Sequence, residues 1–534
     1  MKAALPWLLA AALVITGASV LHDYNVNWDE AVGDLFFGQR YCSFFTTFDT
    51  RYLDFAANPY PPGHTPNLWA SALRNRPWEH YPVASTLATA VSRACTAAGL
   101  TDPFDGYHAF NLLIGAIFVI LFYRFVEDGA GTLAACSATL LLALSPRIAV
   151  DALANVKDFA EMVFFSSALI LFWRGVERGS TRIVLLSGAI GGLALGTKAN
   201  ALFLPVVIAA YLLWRRLPWR MFLLWCAAAA VVFVLAWPYL WLHPIEGLRK
   251  NVHYLLFRGT GTRAADVASP LVAIVFTTPP MFLLAMAIGA VPLVRGIRAR
   301  HPFALLLTCW IAAVAGRLAL PASVNFDGVR HFLELFPPLA AAAGMGIAAI
   351  PVRRVLLKSA VAAAFIVPVA VALATVHPFE IVYWNALAGG LRGAVQRQMP
   401  QASDYWALSY RIGMRWLNAN APPNSLLAVP IAEHTVRLAA PYRLRRDIRL
   451  VHITSPLRAR IDPRSIAALH QYAARQPVFV MFVFRREWAN DLVWQTAASV
   501  PPVAVWRVDG TAVLAIFRLP VTAGAPAPPP DRRP

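Results

Sequence analysis

The sequence predicts a polytopic α-helical membrane protein with a small α/β domain near its C terminus. Of the 534 residues, 58% are hydrophobic and 14% are charged, and the mean hydropathy is +0.55. This balance lies well outside the range of soluble globular domains. Apolar stretches of membrane-spanning length recur as far as about residue 375. A mixed composition with short β-rich runs follows them.

About eleven apolar stretches of about 16 to 22 residues each are long enough to cross the hydrocarbon core as helices. They are 5–21, 107–126, 130–149, 158–174, 183–198, 200–214, 220–241, 271–294, 302–319, 332–350 and 355–375. The division of 183–214 into two helices is left open. Residues 1–21 fit the outline of a signal peptide, but we interpret them as an uncleaved anchor because the carboxylates that follow need tethering to the membrane.

The positions of the basic residues predict the orientation. With the N terminus in the cytoplasm, alternate loops carry clusters of basic residues, and each cluster falls on the inner side, as the positive-inside rule requires. These residues are Arg124; Arg174, Arg178 and Arg182; Arg215, Arg216 and Arg220; Arg295, Arg298 and Arg300; and Arg353, Arg354 and Lys358. The loop 22–106 and everything after 376 are then extracytoplasmic, as expected for a protein of the bacterial inner membrane. The net charge of +19 therefore indicates a lipid bilayer as partner and not nucleic acid.

We expect a transmembrane domain over 1–376, an extracytoplasmic α/β domain over 377–520 and a Pro-rich disordered tail over 521–534. The α/β prediction rests on a helix from Ser403, a helical stretch around 465–474, and β-rich runs between turn residues. These runs are 426–429, 448–453, 478–484, 503–508 and 512–517. In the outer loop 22–106, the amphipathic stretch 83–99 predicts a helix that lies along the membrane surface.

The cysteines give little information. Cys136, Cys226 and Cys309 fall inside apolar helices, where a small buried side chain is the ordinary role. Cys42 and Cys95 share the outer loop, and the sequence leaves open whether they pair. No metal-ligand spacing such as Cys-x-x-Cys occurs, so no metal site and no cofactor is predicted, although two adjacent carboxylates can hold a divalent ion.

The first candidate site is Asn27-Trp28-Asp29-Glu30, a few residues beyond the outer end of the first apolar segment. Charge placed so close to a bilayer is costly and usually functional. A carboxylate at the outer membrane surface suits an enzyme whose lipid-linked donor cannot leave the bilayer. A solvated helix end is the alternative interpretation.

Three further places in outer loops hold polar residues that hydropathy does not explain. Asn155-Val156-Lys157-Asp158 links two helices, and Asp158 is either functional or a helix cap. Asn325-Phe326-Asp327-Gly328-Val329-Arg330-His331 places an arginine fork, which suits a phosphate, on the face that the charge bias disfavours. A snorkelling arginine is the alternative there. The last place is Trp78-Glu79-His80-Tyr81-Pro82, where His80 alone would be unremarkable.

Taken in order, these motifs resemble the membrane-embedded C-type glycosyltransferases of the protein O-mannosyltransferase and aminoarabinose-transferase type, often grouped as family 39 or its relatives. The resemblance extends to about residue 418. It rests on Asp29-Glu30; Glu79-His80-Tyr81-Pro82, where the family often has His-Pro-Pro; Ser145-Pro146-Arg147 with Asn155-Val156-Lys157-Asp158; Gly196-Thr197-Lys198-Ala199-Asn200; Asp327-Gly328-Val329-Arg330-His331; His377-Pro378 with Tyr383-Trp384-Asn385; and Asp404-Tyr405-Trp406 with Ser409-Tyr410.

The resemblance implies transfer of a sugar from a polyprenyl-phosphate donor to an extracytoplasmic acceptor, with inversion at the anomeric carbon. Asp29 is the expected general base. Cationic groups are expected to hold the leaving phosphate. The candidates for this role are Lys157, Arg330, His331 and His80. Asp158 and Glu30 are expected to position these groups or the acceptor.

Two other classes stay open at this point. A polytopic transporter or flippase is expected to place its ionisable residues within the helices near the bilayer midplane, whereas in this chain they gather in the predicted outer loops and Lys198 is the main exception. A non-catalytic assembly protein for cell-envelope glycans would locate its function in the C-terminal domain. The acceptor (glycolipid, polysaccharide or protein) and the sugar are not fixed by any residue pattern.

Overall fold

The computed structural model describes residues 4–55, 76–257, 268–320, 326–453 and 463–520. The predicted Pro-rich tail, part of the outer loop and Asn325 lie outside the described residues. The helices, numbered in chain order, are α1 (Leu5–Val20), α2 (Leu35–Thr47), α3 (Val83–Ala97), α4 (Pro103–Ala130), α5 (Thr132–Ala143), α6 (Pro146–Ala154), α7 (Val156–Glu177), α8 (Thr181–Leu195), α9 (Leu204–Arg215), α10 (Arg220–Leu235), α11 (Pro238–Leu242), α12 (Pro244–Phe257), α13 (Ala268–Thr277), α14 (Pro280–Arg298), α15 (Pro302–Leu318), α16 (Phe336–Ala349), α17 (Val355–Val376), α18 (Gly390–Gln396), α19 (Tyr410–Asn420), α20 (Glu433–Arg443), α21 (Pro463–Ala473) and α22 (Asp491–Ser499).

The chain is a multi-pass membrane protein. Within the described ranges, six helical spans are long and apolar enough to cross a bilayer, and the bent pair α5 and α6 makes a seventh. The six are Leu5–Asp23, Pro103–Ala130, Val156–Glu177, Pro280–Arg298, Arg330–Ala349 and Val355–Val376. Four shorter apolar helices, namely α8, α10, α15 and the stretch Ala199–Arg215, are also present. The predicted total of about eleven crossings therefore stays a prediction.

Three of the predicted apolar segments are broken at proline. Segment 130–149 divides into α5 and α6, which meet at an angle of 66° at Pro146. Segment 220–241 divides before Pro238, and segment 271–294 divides before Pro280. Proline lacks a backbone N–H and favours the first turn of a new helix, and the residue before it favours extended backbone. The prediction of one continuous helix in each of these segments was therefore wrong.

Small residues let α14 and α16 approach closely. A Cβ atom at Gly289 would lie 2.0 Å from the carbonyl oxygen of Ala342, and one at Gly346 would lie 2.5 Å from the backbone nitrogen of Gly289. Both distances are shorter than any van der Waals contact, so these positions require glycine. Close backbone packing of this kind is a common way for membrane helices to associate, because lipid provides no hydrophobic force between them.

The C-terminal unit (residues 410–520) contains a five-stranded sheet. Its strands are β1 (Leu426–Ala428), β2 (Arg449–Val451), β3 (Val478–Val483), β4 (Pro502–Val508) and β5 (Thr511–Arg518), in the order β2-β1-β3-β5-β4. Strand β1 is parallel to β2 and β3, whereas β5 is antiparallel to β3 and β4. Each predicted β-rich run forms a strand, so the prediction of a small α/β unit after the last apolar helix is confirmed.

The helix expected from Ser403 begins at Tyr410 instead. The carboxylate of Asp404 accepts hydrogen bonds from the backbone N–H groups of Trp406, Leu408 and Ser409, which holds the preceding residues in a loop. Helices α20 and α22 were not predicted. Their apolar residues are few and are interrupted by polar ones, so the helical period is weak in the sequence.

The C-terminal unit packs directly on the start of α4 and on the segment that follows α1. Arg443 pairs with Asp102 at 2.8 Å and with Asp105 at 2.6 Å, where α4 begins. The ring of Trp28 contacts His434 and Trp488, with centroid separations of 4.8 and 5.0 Å. The unit is therefore fixed against the segment that carries Asp29.

Candidate active site

A cavity of about 260 Å³ gathers most of the residues that the sequence singled out. Its wall comes from six separate parts of the chain: the turns that precede α2, α3, α9 and α16, the start of α7, and α12. The lining residues are Asp29, Val32, Asp34, Glu79, His80, Tyr81, Lys157, Asp158, Lys198, Ala199, Tyr254, Arg330 and His331. Of the seven predicted site residues, Glu30 does not line this cavity.

Asp29 opens a π-helical turn, Glu30–Asp34, that leads into α2. Its side chain is 41% exposed, whereas Glu30 is 3% exposed and lies on the other side of the turn. Glu30 contacts His108 Nε2 at 2.9 Å and accepts a hydrogen bond from the backbone N–H of Asn27. Glu30 therefore fixes the turn, and Asp29 alone of the two carboxylates reaches the cavity.

Arg330 lies at the centre of the site. One terminal nitrogen of its guanidinium group binds Asp29 directly and lies 3.6 Å from Asp158 Oδ2. The other terminal nitrogen donates to Asp327 Oδ2 at 3.1 Å. The Nε atom is buried without a hydrogen-bond partner among the described residues. Arg330 is thus a buried member of a charge network, not the snorkelling residue of the alternative interpretation.

Asp158 is held by a lysine and does not cap α7. Asn155 caps the helix, because its side-chain oxygen accepts from the backbone N–H of Asp158 at 3.2 Å. The carboxylate of Asp158 pairs with Lys198 Nζ at 2.7 Å. Lys198 also donates to the carbonyl oxygen of Arg330 at 3.1 Å. The alternative of a simple helix cap for Asp158 is therefore wrong.

Lys157 pairs with Asp34, a carboxylate that the sequence interpretation missed. Lys157 Nζ lies 3.1 Å from Asp34 Oδ1. Burial raises the pKa of Asp34 to about 6, although Lys157 acts against this shift. Asp34 follows Asp29 by five residues in the sequence. A π-helical turn can place two side chains at this spacing on the same face, and this was the signal for Asp34 in the sequence.

The pKa of Asp29 lies below its ordinary value. Burial acts to raise this pKa, but the positive charges of Arg330 and Lys157 lower it by more. Asp29 is therefore ionised at neutral pH, as a proton acceptor must be.

The two histidines are held by aromatic rings. His80 stacks on Phe37, with ring centroids 4.1 Å apart and an interplanar angle of 20°. His331 meets Phe326 edge-on at 4.8 Å. A Cβ atom at Gly33 would lie 2.9 Å from His80 Cε1, so this position needs glycine for His80 to fit.

A larger cavity of about 570 Å³ adjoins the first one. The two share Glu79 and Tyr254 in their walls. The remaining lining residues are Arg76, Trp78, Arg249, Lys250, His253 and Phe257. This second space is therefore lined by basic and aromatic side chains from the turn before α3 and from α12.

Within the described ranges, no three or more His, Cys, Asp or Glu side chains gather in a way that fits a metal ion. The five cysteines are free, and Cys42 and Cys95 do not form a disulfide. Cys42 is buried beside Arg93, whose guanidinium group lies 3.5 Å from its sulfur.

Comparison with known proteins supports the resemblance found in the sequence. A family model described as dolichyl-phosphate-mannose-protein mannosyltransferase matches residues 101–242. This range includes Lys157, Asp158 and Lys198 but ends before Arg330. The predicted resemblance to this group of glycosyltransferases is thereby confirmed. A comparison with curated protein sequences gives no significant match.

Among solved structures, the chain is similar to ArnT from Cupriavidus metallidurans bound to undecaprenyl phosphate. The TM-score is 0.50 at 15% identity, and the match covers 98% of this chain and 99% of that one. AglB from Archaeoglobus fulgidus, in complex with an inhibitory peptide and a dolichol-phosphate, also matches, with a TM-score of 0.44, 10% identity and coverage of 95% of this chain and 74% of that one. The likeness to ArnT shows that the predicted C-type glycosyltransferase architecture is the fold of this chain.

Proposed function

We propose that the protein is an inverting glycosyltransferase that moves a sugar from a polyprenyl-phosphate donor to an extracytoplasmic acceptor, with Asp29 as the general base. The observation that carries this proposal is the pairing of Asp29 with Arg330 in the cavity wall. An ionised carboxylate and an arginine fork meet there. The carboxylate can accept the proton of an acceptor hydroxyl, and the fork can bind a leaving phosphate.

In the proposed reaction, the acceptor hydroxyl oxygen attacks the anomeric carbon of the donor sugar. The bond from that carbon to the phosphate oxygen breaks, and its electron pair leaves with the lipid phosphate. Asp29 takes the hydroxyl proton and later returns it to water. Attack opposite the leaving phosphate inverts the anomeric centre.

The cations of the cavity hold the leaving phosphate. Arg330 and Lys157 pair with Asp29 and Asp34, respectively. A donor phosphate competes with Asp29 for the Arg330 fork, and the unsatisfied Nε atom of Arg330 offers a further donor. Donor binding would therefore free the Asp29 carboxylate for the acceptor. His80 and His331 are further contacts in this proposal, and Asp158 positions Arg330 through Lys198.

The outer location supports a lipid-linked donor and an acceptor outside the cytoplasm. Asp29 lies in the segment between α1 and α2, and Arg330 begins the 3-10 helix Arg330–Leu335 that leads into α16. Under the positive-inside rule both positions are extracytoplasmic in the bacterial inner membrane. The adjoining basic and aromatic cavity provides a second route of approach, which suits an enzyme with two substrates.

The sequence favoured an enzyme over a transporter because the ionisable residues gather in the predicted outer loops, and the structure weakens this argument. The ionisable groups are not confined to outer loops, because Glu161 on α7 and Glu334 before α16 are each 1% exposed, and Glu334 pairs with Arg317 at 2.6 Å. Such buried charges occur in transport pathways. The experiment must therefore separate chemistry from transport.

Purified native protein and Asp29→Asn protein should be compared for binding of a polyprenyl-phosphate sugar and for turnover. The substitution keeps the size of the side chain but removes the proton acceptor. We expect turnover to fall about a hundredfold to ten-thousandfold while donor binding persists. Asp49→Asn is the matched control, because Asp49 pairs with Arg51 outside the cavity. Turnover within a few-fold of native would remove Asp29 from the mechanism, and an absence of donor binding in the native protein would favour the transporter or assembly functions.

A further inference from the structure

We propose that Arg485, in the C-terminal unit, is a positioning residue for Arg330 and acts through Asp327. This inference rests on the proposed function, since it assigns the C-terminal unit a part in the same reaction. It extends that function, because the base and its cation would then depend on a residue more than 150 positions away in the chain.

Asp327 bridges two arginines. Its Oδ2 accepts a hydrogen bond from Arg330 at 3.1 Å, and its Oδ1 accepts one from Arg485 at 3.2 Å. Each carboxylate oxygen thus serves a different guanidinium group. Charge-assisted hydrogen bonds of this kind are directional, so the position of Asp327 fixes the plane of the Arg330 fork.

Arg485 is itself held from two further sides. Its other terminal nitrogen donates to the carbonyl oxygen of Tyr405 at 2.5 Å. Its guanidinium carbon lies 5.2 Å from the ring centre of Trp28 and 5.8 Å from that of Trp488, within the range of cation–π contact. Because Trp28 precedes Asp29 in the chain, Arg485 supports both partners of the Asp29–Arg330 pair.

The turn that carries Asp327 depends on the same region. Asp327 and Gly328 both have positive φ angles, of 59° and 73°. A Cβ atom at Gly328 would lie 2.8 Å from the hydroxyl oxygen of Tyr405. The turn therefore packs against Tyr405, the same residue whose carbonyl oxygen accepts a hydrogen bond from Arg485.

Loss of Arg485 should also change the pH at which Asp327 is protonated. Burial raises the pKa of Asp327, and Arg330 and Arg485 both act against this shift. The charged or titratable groups that face Asp327 are Arg330 on its own turn, Asp29, Arg485, Glu487 and Tyr405. Without Arg485, Asp327 takes up a proton at a higher pH and releases Arg330 sooner as the pH falls.

The test uses the full-length protein with three substitutions in the same turn: Arg485→Gln, Arg485→Lys and Arg486→Gln. Arg486 is the matched control, because it is the adjacent arginine but is exposed. We expect Arg485→Gln to lower kcat/KM for the donor roughly ten- to a hundredfold, as for loss of a charge-assisted hydrogen bond. Arg485→Lys should recover part of this loss, and Arg486→Gln should behave as native. The acid limb that comes from protonation of Asp327 should move to higher pH in Arg485→Gln.

A double substitution shows whether Arg485 acts through Asp327. In an Asp327→Asn background, adding Arg485→Gln should cost little more, because their shared interaction is already broken. Fully additive losses, or native kinetics in folded Arg485→Gln protein, would overturn the inference. If Arg485→Gln does not fold, the kcat/KM of Arg485→Lys for the donor decides instead, because lysine keeps the charge but loses the fork, and native kinetics in that variant would overturn the inference. Absence of turnover in the native protein would reject the proposed function, which is a separate outcome.

Discussion

Lys198 Nζ lies 2.7 Å from Asp158 Oδ1, and both side chains are almost fully buried at the edge of the candidate site. Lys198 also donates to the carbonyl oxygen of Arg330. Two further side chains hold the next residue: Arg317 and Asn200 donate to the carbonyl oxygen of His331 at 2.7 and 2.8 Å. The turn that presents Arg330 is thus held by a row of side-chain donors.

Lys198→Gln should destabilise the protein strongly. It leaves the Asp158 carboxylate with the 3.6 Å contact to Arg330 as its remaining ion pair among the described residues, and removing one partner of a buried ion pair typically costs about 3–5 kcal/mol. The Asp158→Asn/Lys198→Gln double variant should recover much of this loss, because no uncompensated charge remains. The measurement is thermal unfolding in detergent. Lys250→Gln is the control, since its pair with Glu246 is at the surface and contributes little to stability. Equal losses in the single and double variants would contradict this explanation.

Arg330→Lys should impair donor binding more than acceptor binding. Lysine keeps the positive charge but loses the fork that reaches Asp29, Asp327 and the proposed phosphate at once. We expect the KM for the polyprenyl-phosphate sugar to rise roughly ten- to a hundredfold, and the KM for the acceptor to change little. Steady-state kinetics with each substrate varied in turn distinguish the two. Normal donor saturation in Arg330→Ala would exclude a phosphate-binding role.

Much of this arrangement could be predicted from the sequence, because charged residues beside apolar segments of membrane-spanning length are easily recognised. Asp29, Lys157, Asp158 and Arg330 stand out against apolar surroundings and do meet in one cavity. The strands of the C-terminal unit could also be predicted, since their β-rich runs are bounded by turn residues.

The pairings could not be predicted, because they depend on tertiary contacts over large sequence separations. Nothing local to Arg485 indicates that it reaches Asp327, which is 158 residues earlier. Glu30 and Asp29 are adjacent and chemically alike, and only the path of the π-helical turn decides which one faces the cavity. The prolines that break three of the apolar segments are present in the sequence. When only the length of an apolar segment is considered, however, the segment is predicted as one continuous helix.

The membrane topology gives a prediction that depends on a short helix. Between Arg298 and Gly510 lie α15, α16 and α17, so three crossings place these two positions on opposite sides of the membrane. Helix α15 has 17 residues, a length of about 26 Å at helical rise, slightly less than the hydrocarbon core. Reporters inserted after Arg298 and after Gly510, which forms the tip of the β4–β5 hairpin, should report cytoplasmic and extracytoplasmic locations. Reporters on the same side would show that one of these helices does not cross.

Asp34 should give the pH dependence of turnover an acid limb of its own, separate from the limb that protonation of Asp327 gives. Burial raises the pKa of Asp34 to about 6, so Asp34 becomes neutral as the pH falls through that value, whereas Asp29 stays ionised because its pKa lies below the ordinary range. Neutral Asp34 no longer holds Lys157 by charge, and kcat/KM should therefore fall below about pH 6.

Asp34→Asn should remove this limb and give, at neutral pH, a rate close to that of the native protein at low pH. Rate profiles of the two proteins from about pH 5 to about pH 7, roughly one unit either side of the limb, check this. Asp49→Asn is the control that should keep the native profile. An unchanged limb in Asp34→Asn would assign the titration to another group.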